Sequence, residues 1–120
     1  MQPGIDVVEV AQVRQAIATF GQRYLRRLHT EAELGALQHD DPEQLALRAA
    51  ERFAAKEAVF KALQLPSSVT MGWHAIELDE HLAVTLHGPA RAWATEHHLT
   101  TLRVSTTRTA DHAMAVAVAS

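Results

Sequence analysis

Arg52-Phe53-Ala54-Ala55-Lys56-Glu57-Ala58-Val59-Phe60-Lys61-Ala62-Leu63 is the stretch on which the fold turns. It closes an uninterrupted helix-favouring run that begins at Pro42 and is the longest element in the chain. Asp41-Pro42 marks the start, with an acceptor at the cap and a proline where its missing N–H is harmless. Pro66-Ser67-Ser68 ends it. On a wheel of about 100° per residue, Leu45, Ala49, Phe53, Phe60 and Leu63 form one apolar stripe. Glu57 sits at its margin, Lys56 falls inside it, Arg52 lies near the other edge, and Lys61 follows Glu57 by one turn. Charges held against an apolar face need partners, because burying them unpaired costs several kcal/mol. The plainest partnership is an i,i+4 pair of Glu57 with Lys61, worth about 0.3–0.5 kcal/mol, with Lys56 reaching out to solvent.

Working outward, Gly4-Ile5-Asp6-Val7-Val8-Glu9-Val10 is β-branched, bounded by Pro3-Gly4, and reads as a strand. Val10, Val13, Ile17 and Phe20 then recur at helical spacing, and Gly21 supplies a stop. A short basic stretch, Arg23-Tyr24-Leu25-Arg26-Arg27, follows. Thr30-Glu31-Ala32-Glu33 is a capping box that opens a short helix through Leu34 and Leu37. Beyond the long helix, Trp73–Leu78 and Leu82–Leu86 read as a hairpin around Asp79-Glu80. Gly88-Pro89 begins a helix through Trp93 and His97, and strands over Thr101–Thr107 and His112–Ala119 close the chain. The order β-α-α-α-β-β-α-β-β predicts a single α+β domain over residues 1–120, a small mainly antiparallel sheet packed on a long helix. The last strand is apolar on both faces, Ala113, Ala115 and Ala117 on one and Met114, Val116 and Val118 on the other. Such a strand is either central in its sheet or covered by another chain.

The 120 residues are 48% hydrophobic and 21% charged, enough to bury a core, but with few aromatics that core must rest on Ala, Val and Leu. A body of this size has little room for a deep cleft, which a site shared between subunits would supply. The net charge of −3 argues against binding a nucleic-acid backbone. The absence of cysteine excludes disulfides, thiol catalysis and Cys-ligated zinc. There is no apolar run long enough to span a bilayer and no basic, apolar leader at Met1-Gln2-Pro3-Gly4, so a cytoplasmic location is expected. Eight histidines leave open a histidine-rich metal-binding structural protein, although none sits in a zinc-ligand spacing and the adjacent pair His97-His98 would diverge on a helix.

Asp6 changes the reading of the long helix. A carboxylate interrupting an apolar strand also needs a partner, and two carboxylates on packed elements can share a hard cation such as Mg²⁺ beside phosphate oxygens. The strand motif and the Arg52–Leu63 motif together closely resemble the holo-acyl-carrier-protein synthase group of 4′-phosphopantetheinyl transferases. The resemblance extends to Arg27–Glu33, to Trp73–Leu78 and to Leu86-His87-Gly88-Pro89-Ala90. It implies transfer of phosphopantetheine from coenzyme A to a serine of apo acyl carrier protein, in fatty-acid or polyketide biosynthesis. It further implies Mg²⁺ held by Asp6 and Glu57, phosphates met by Lys61, and the nucleotide or carboxylates supported by Arg52 and Lys56. The serine proton would pass to a base, with Glu57 or a water as candidates and Lys56 as a weaker one. Ser105 and Arg108 would stand on the coenzyme A side, and Gln12, Arg23, Arg26 and Arg27 on the carrier side. Small members of the group are trimers with intersubunit sites, so a homotrimer is expected.

The chain departs from the group's pattern at three places. Gln12 replaces an arginine facing the carrier, with Arg14 two positions on; Gln64-Leu65-Pro66-Ser67-Ser68 replaces a glycine-rich turn; Arg108 stands where His or Asp is usual. These departures keep in view a non-catalytic relative that binds carrier or coenzyme A without transfer.

Overall fold

A computed structural model describes residues 1–120. Its elements are β1 (Gln2–Glu9), α1 (Val10–Phe20), α2 (Gln22–Leu28), α3 (Glu31–Leu37), α4 (Pro42–Leu63), a 3₁₀ turn (Trp73–Ala75), β2 (Ile76–Leu78), β3 (Val84–Leu86), α5 (Gly88–Glu96), β4 (Leu102–Arg108) and β5 (His112–Ala119). Three strands form one antiparallel sheet in the order β1-β5-β4, and β2 and β3 form a separate antiparallel pair. The α+β order expected from the sequence stands, with one helix more. Gln22–Leu28, read as a basic stretch, is helical because Gly21 (φ 58°) turns the chain rather than ending the helical segment, and Leu25 and Leu28 anchor the new helix in the core. The hairpin is shorter than expected: Trp73–Ala75 is a turn, and Asp79 closes the loop by accepting from the N–H groups of His81 and Ala83.

Helix α4 lies across the inner face of the three-stranded sheet. Alanines 113, 115, 117 and 119 pave that face, so a helix can approach it closely. Gly4 sharpens the fit, since a Cβ there would stand 2.6 Å from the Ala62 nitrogen, 3.0 Å from Lys61 Cβ, and closer still to the Ala58 carbonyl. Gln2 Nε2 donates to the Ala62 carbonyl (2.8 Å) and Trp93 Nε1 to that of Leu63 (2.7 Å), fixing the end of α4 to β1 and α5. The helix stops at Gln64, which takes the left-handed conformation (φ 54°, ψ 42°) in place of the usual glycine. Burial on α4 centres on its alanines rather than on the expected stripe: Ala46, Ala50, Ala54, Ala55, Ala58 and Ala62 are buried with Ala49 and Leu63, while Leu45, Phe53 and Phe60 are half-buried. The helix packs on the sheet on one side and on α1, α3 and β2 on others.

On the far side of α4, Lys56 is fully buried rather than extended to solvent. Its Nζ donates to Glu33 Oε1 (2.7 Å) and to the carbonyls of Leu28 (2.7 Å) and Trp73 (3.2 Å). Burial pushes the ammonium below the ordinary lysine value, and the bond to Glu33 pulls it back. Glu33 also takes the Thr30 N–H (2.8 Å), completing the capping box, and the Leu78 N–H (2.9 Å). Beside them His29 is buried with Nδ1 2.8 Å from the Leu25 carbonyl and Nε2 unpartnered; burial lowers its basicity.

Of the two descriptions the sequence allowed for the last strand, the structure shows the central one. It lies between β1 and β4, and the outer face of the sheet is open: Ile5 and Val7 of β1 are 60% and 53% exposed, and Met114 and Val116 of β5 are 44% and 41% exposed. No helix of the chain is long and apolar enough to cross a membrane.

Candidate active site

The side chains of β1 alternate, so Gly4, Asp6 and Val8 face α4 while Ile5 and Val7 face outward. Asp6 is thereby carried into the seam between the sheet and α4, opposite Ala115 and in register with Thr106 on β4. From α4, Glu57 and Lys61 point to the same seam, being one turn apart. Lys61 Nζ donates to Asp6 Oδ1 (2.9 Å) and to the Ile5 carbonyl (3.0 Å). The expected i,i+4 pair with Glu57 is not made; the lysine prefers the strand carboxylate. The contact with Asp6 raises the Lys61 ammonium above the ordinary lysine value. Glu57 is half-buried, and burial followed by the neighbouring charge of Asp6 raises its carboxyl above the usual carboxylate range, with Lys61 opposing. Two carboxylates in one partly desolvated seam, with one lysine bonded to Asp6, leave an excess of negative charge on hard oxygen donors. That donor set suits a hard divalent cation.

The remaining residues singled out from the sequence separate into groups. Arg52 and Lys56 do not face this seam. Arg52 lies five positions before Glu57, about 140° round the helix. Its guanidinium closes on the carbonyls of Leu78 (2.7 Å) and Asp79 (3.0 Å), with Nε buried and unpartnered. Lys56 is enclosed with Glu33, so its ammonium supports the core and is sealed from any phosphate outside. Ser105 projects from the outer sheet face, in register with Val116 and Ile5, away from Asp6. Arg108 ends β4 and its Nε stands 3.7 Å from Glu51 of α4, about 9 Å along the helix from Glu57.

Gln12 is exposed on α1. Arg14 is held by Glu43 through two parallel bonds of 2.7 and 2.8 Å, which ties it to α4 rather than leaving it to stand in for the arginine missing at Gln12. Arg23 and Arg27 line a shallow groove with Phe20 and Tyr24; Arg26 is exposed next to it, its carbonyl 2.7 Å from His74 Nε2. The histidines, aspartates and glutamates nowhere gather in threes as a metal-holding cluster.

A sequence profile of the 4′-phosphopantetheinyl transferase superfamily matches residues 2–117. The chain belongs to this superfamily. Among its relatives, the holo-[acyl-carrier-protein] synthase of Solidesulfovibrio magneticus is 40% identical over 96% of this chain and 94% of its own. That of Chlorobaculum parvum is 38% identical over 99% and 96%. Two solved structures of such synthases superpose over nearly the whole fold. The Neisseria meningitidis protein gives a TM-score of 0.82 at 25% identity, covering 99% of this chain and 97% of that one. The Helicobacter pylori protein, solved in complex with coenzyme A, gives 0.76 at 26%, covering 98% and 99%.

Within this phosphopantetheinyl transferase the sequence reading found both seam carboxylates and the lysine, and missed what sets them. Gly4 was legible only as a strand boundary, although its missing side chain is what lets β1 rest on α4. Glu33 was legible only as a cap; its bond to Lys56 spans 23 positions and leaves no local pattern. The one available signal was Lys56 inside an apolar stripe, a buried cation that required an anion somewhere.

Proposed function

We propose that residues 1–120 act as one phosphopantetheinyl transferase domain. It moves 4′-phosphopantetheine from coenzyme A to a serine of an apo acyl carrier protein, giving holo carrier and 3′,5′-ADP. The observation that carries this reading is the seam itself, where the Asp6 and Glu57 carboxylates of a superfamily member converge with Lys61 as their only cation. In the reaction the serine oxygen bonds to the β-phosphorus, the bond from that phosphorus to the oxygen bridging to 3′,5′-ADP breaks, and the serine proton is taken up by an acceptor. Asp6 and Glu57 would hold Mg²⁺, which when bound supplies positive charge against the diphosphate and the departing nucleotide phosphate. Lys61, half exposed at the mouth of the seam, presents a further cation to phosphate oxygens. Lys56 drops out as proton acceptor, because its ammonium is enclosed and bonded on three sides.

The carrier side of the reading rests on the groove of Phe20, Arg23, Tyr24 and Arg27, which offers cations beside apolar surface to an acidic partner, with Arg26 exposed on the same helix and Gln12 exposed on α1. The expected homotrimer finds support in the open outer sheet face, where four large apolar side chains stand uncovered. It also accounts for Ser105: one protomer cannot turn Ser105 and Asp6 toward the same nucleotide, whereas a site shared between subunits can use one from each. Arg108 would meet coenzyme A from the end of β4. The cytoplasmic location expected from the sequence goes with this reading.

Incubation with coenzyme A, Mg²⁺ and an apo carrier is expected to raise the carrier's mass by one phosphopantetheine group, and chelation of the metal to prevent it. No mass gain on any apo carrier, beside a working control synthase, would leave a carrier- or coenzyme-A-binding relative in its place.

A further inference from the structure

Lys61 has a choice of anions in the seam. Glu57 is its neighbour one turn back on the same helix, the usual partner for a lysine at that spacing. Instead the ammonium crosses to β1 and settles on two hard oxygens, Asp6 Oδ1 at 2.9 Å and the Ile5 carbonyl at 3.0 Å. The stem passes beside Gly4, whose lack of a side chain leaves room for it. Asp6 is only 13% exposed while the lysine side chain is 50% exposed, so the carboxylate is enclosed and the cation covers its open side. Glu57 makes no ion pair, and the lysine's only carboxylate partner is Asp6.

We infer that Lys61 is a resident cation that occupies the Asp6 carboxylate in the empty protein and is exchanged for the divalent ion when the donor's diphosphate arrives. The inference rests on the reading of Asp6 as a metal-holding residue. A divalent ion held on the enclosed Asp6 carboxylate would stand against the ammonium bonded there, and the repulsion between the two cations weakens that bond. The ammonium is therefore driven to leave once another anion is there to receive it. A lysine on a flexible four-carbon stem can turn to a phosphate oxygen without moving its helix. Without the diphosphate, metal binding has to displace Lys61 into water; with it, the displaced ammonium gains a new partner. Metal and donor thus assist each other through this one side chain, and by thermodynamic necessity the assistance is reciprocal.

The test measures Mn²⁺ binding to the whole protein without any carrier, so that nothing turns over, both alone and with saturating coenzyme A, corrected for the complex Mn²⁺ forms with coenzyme A in solution. Native protein is compared with Lys61→Met and, as a second variant that keeps a polar end, Lys61→Gln. Both variants are expected to bind Mn²⁺ alone about three- to five-fold more tightly than native protein, the worth of a partly exposed ion pair expressed as a ratio. The factor by which coenzyme A strengthens Mn²⁺ binding is expected to shrink by the same ratio. A lysine that merely repels the metal from a fixed position would do so with and without coenzyme A, and its removal would tighten both and leave that factor unchanged. An unchanged factor, or no gain in Mn²⁺ affinity, overturns the exchange while leaving the metal site standing. Failure of Mn²⁺ to bind native protein under either condition overturns the exchange and the metal reading together.

Discussion

Glu57→Gln is expected to lower kcat/KM for phosphopantetheine transfer by about 10³-fold, since a metal acting on a phosphoryl group supplies several kcal/mol and about 1.4 kcal/mol is tenfold. The substitution keeps the shape of the side chain and removes only its charge. Stability should move the other way. Burial and the charge of Asp6 hold the Glu57 carboxyl above its unfolded proton affinity, so at neutral pH the ionised group is easier to carry in the unfolded chain than in the fold. That penalty grows as pH rises past the unfolded carboxyl value, and glutamine removes it. Urea unfolding at pH 7 should therefore show the variant at least as stable as the native protein. Near-native turnover would remove Glu57 from the metal site; lost turnover accompanied by lost stability would make its role structural.

Glu33→Ala carries the largest expected loss of stability, about 3–5 kcal/mol, because it leaves Lys56 charged and buried without its anion. Glu33 and Lys56 are both without exposed side-chain surface and lie 2.7 Å apart. The same substitution frees the N–H groups of Thr30 and Leu78, so the start of α3 and strand β2 loosen with α4. Such a loss is a large share of the 5–15 kcal/mol that holds a typical domain together. The double variant Glu33→Gln with Lys56→Met removes both charges while keeping volume, and is expected to recover much of the difference. Urea unfolding at one fixed protein concentration measures both, since association would otherwise shift the midpoint. A loss under about 1 kcal/mol for Glu33→Ala would show that the pair is solvated in solution.

Local rules carried the sequence reading furthest. Thr30 and Glu33 form the capping box their spacing implies, and Asp41 caps α4 with Pro42 in its first turn. Asp6 and Glu57 could be suspected because each put a charge on an apolar element. What stayed hidden depends on the third dimension. Lys61 could have paired with Glu57 by spacing alone, and only the packing of β1 on α4 offers it Asp6 instead. Arg52 and Lys56 share a motif with Glu57 yet look the other way, because a helix turns neighbouring positions to different partners. Helix α2 was hidden by Gly21, a residue that ends helices and also joins them. Gln64 shows the reverse case: the glycine expected at the end of α4 is absent, and the left-handed turn forms without it.

The central claim is that Asp6 and Glu57 hold one divalent ion against the diphosphate of coenzyme A. A crystal grown with coenzyme A and Mn²⁺, with data collected to reveal the metal's anomalous signal, tests it directly. The account predicts a single strong peak in the seam between β1 and α4, within coordination distance of oxygens from both side chains and from the diphosphate. A bound coenzyme A whose diphosphate lies away from those two carboxylates, or a peak that neither of them touches, would contradict it.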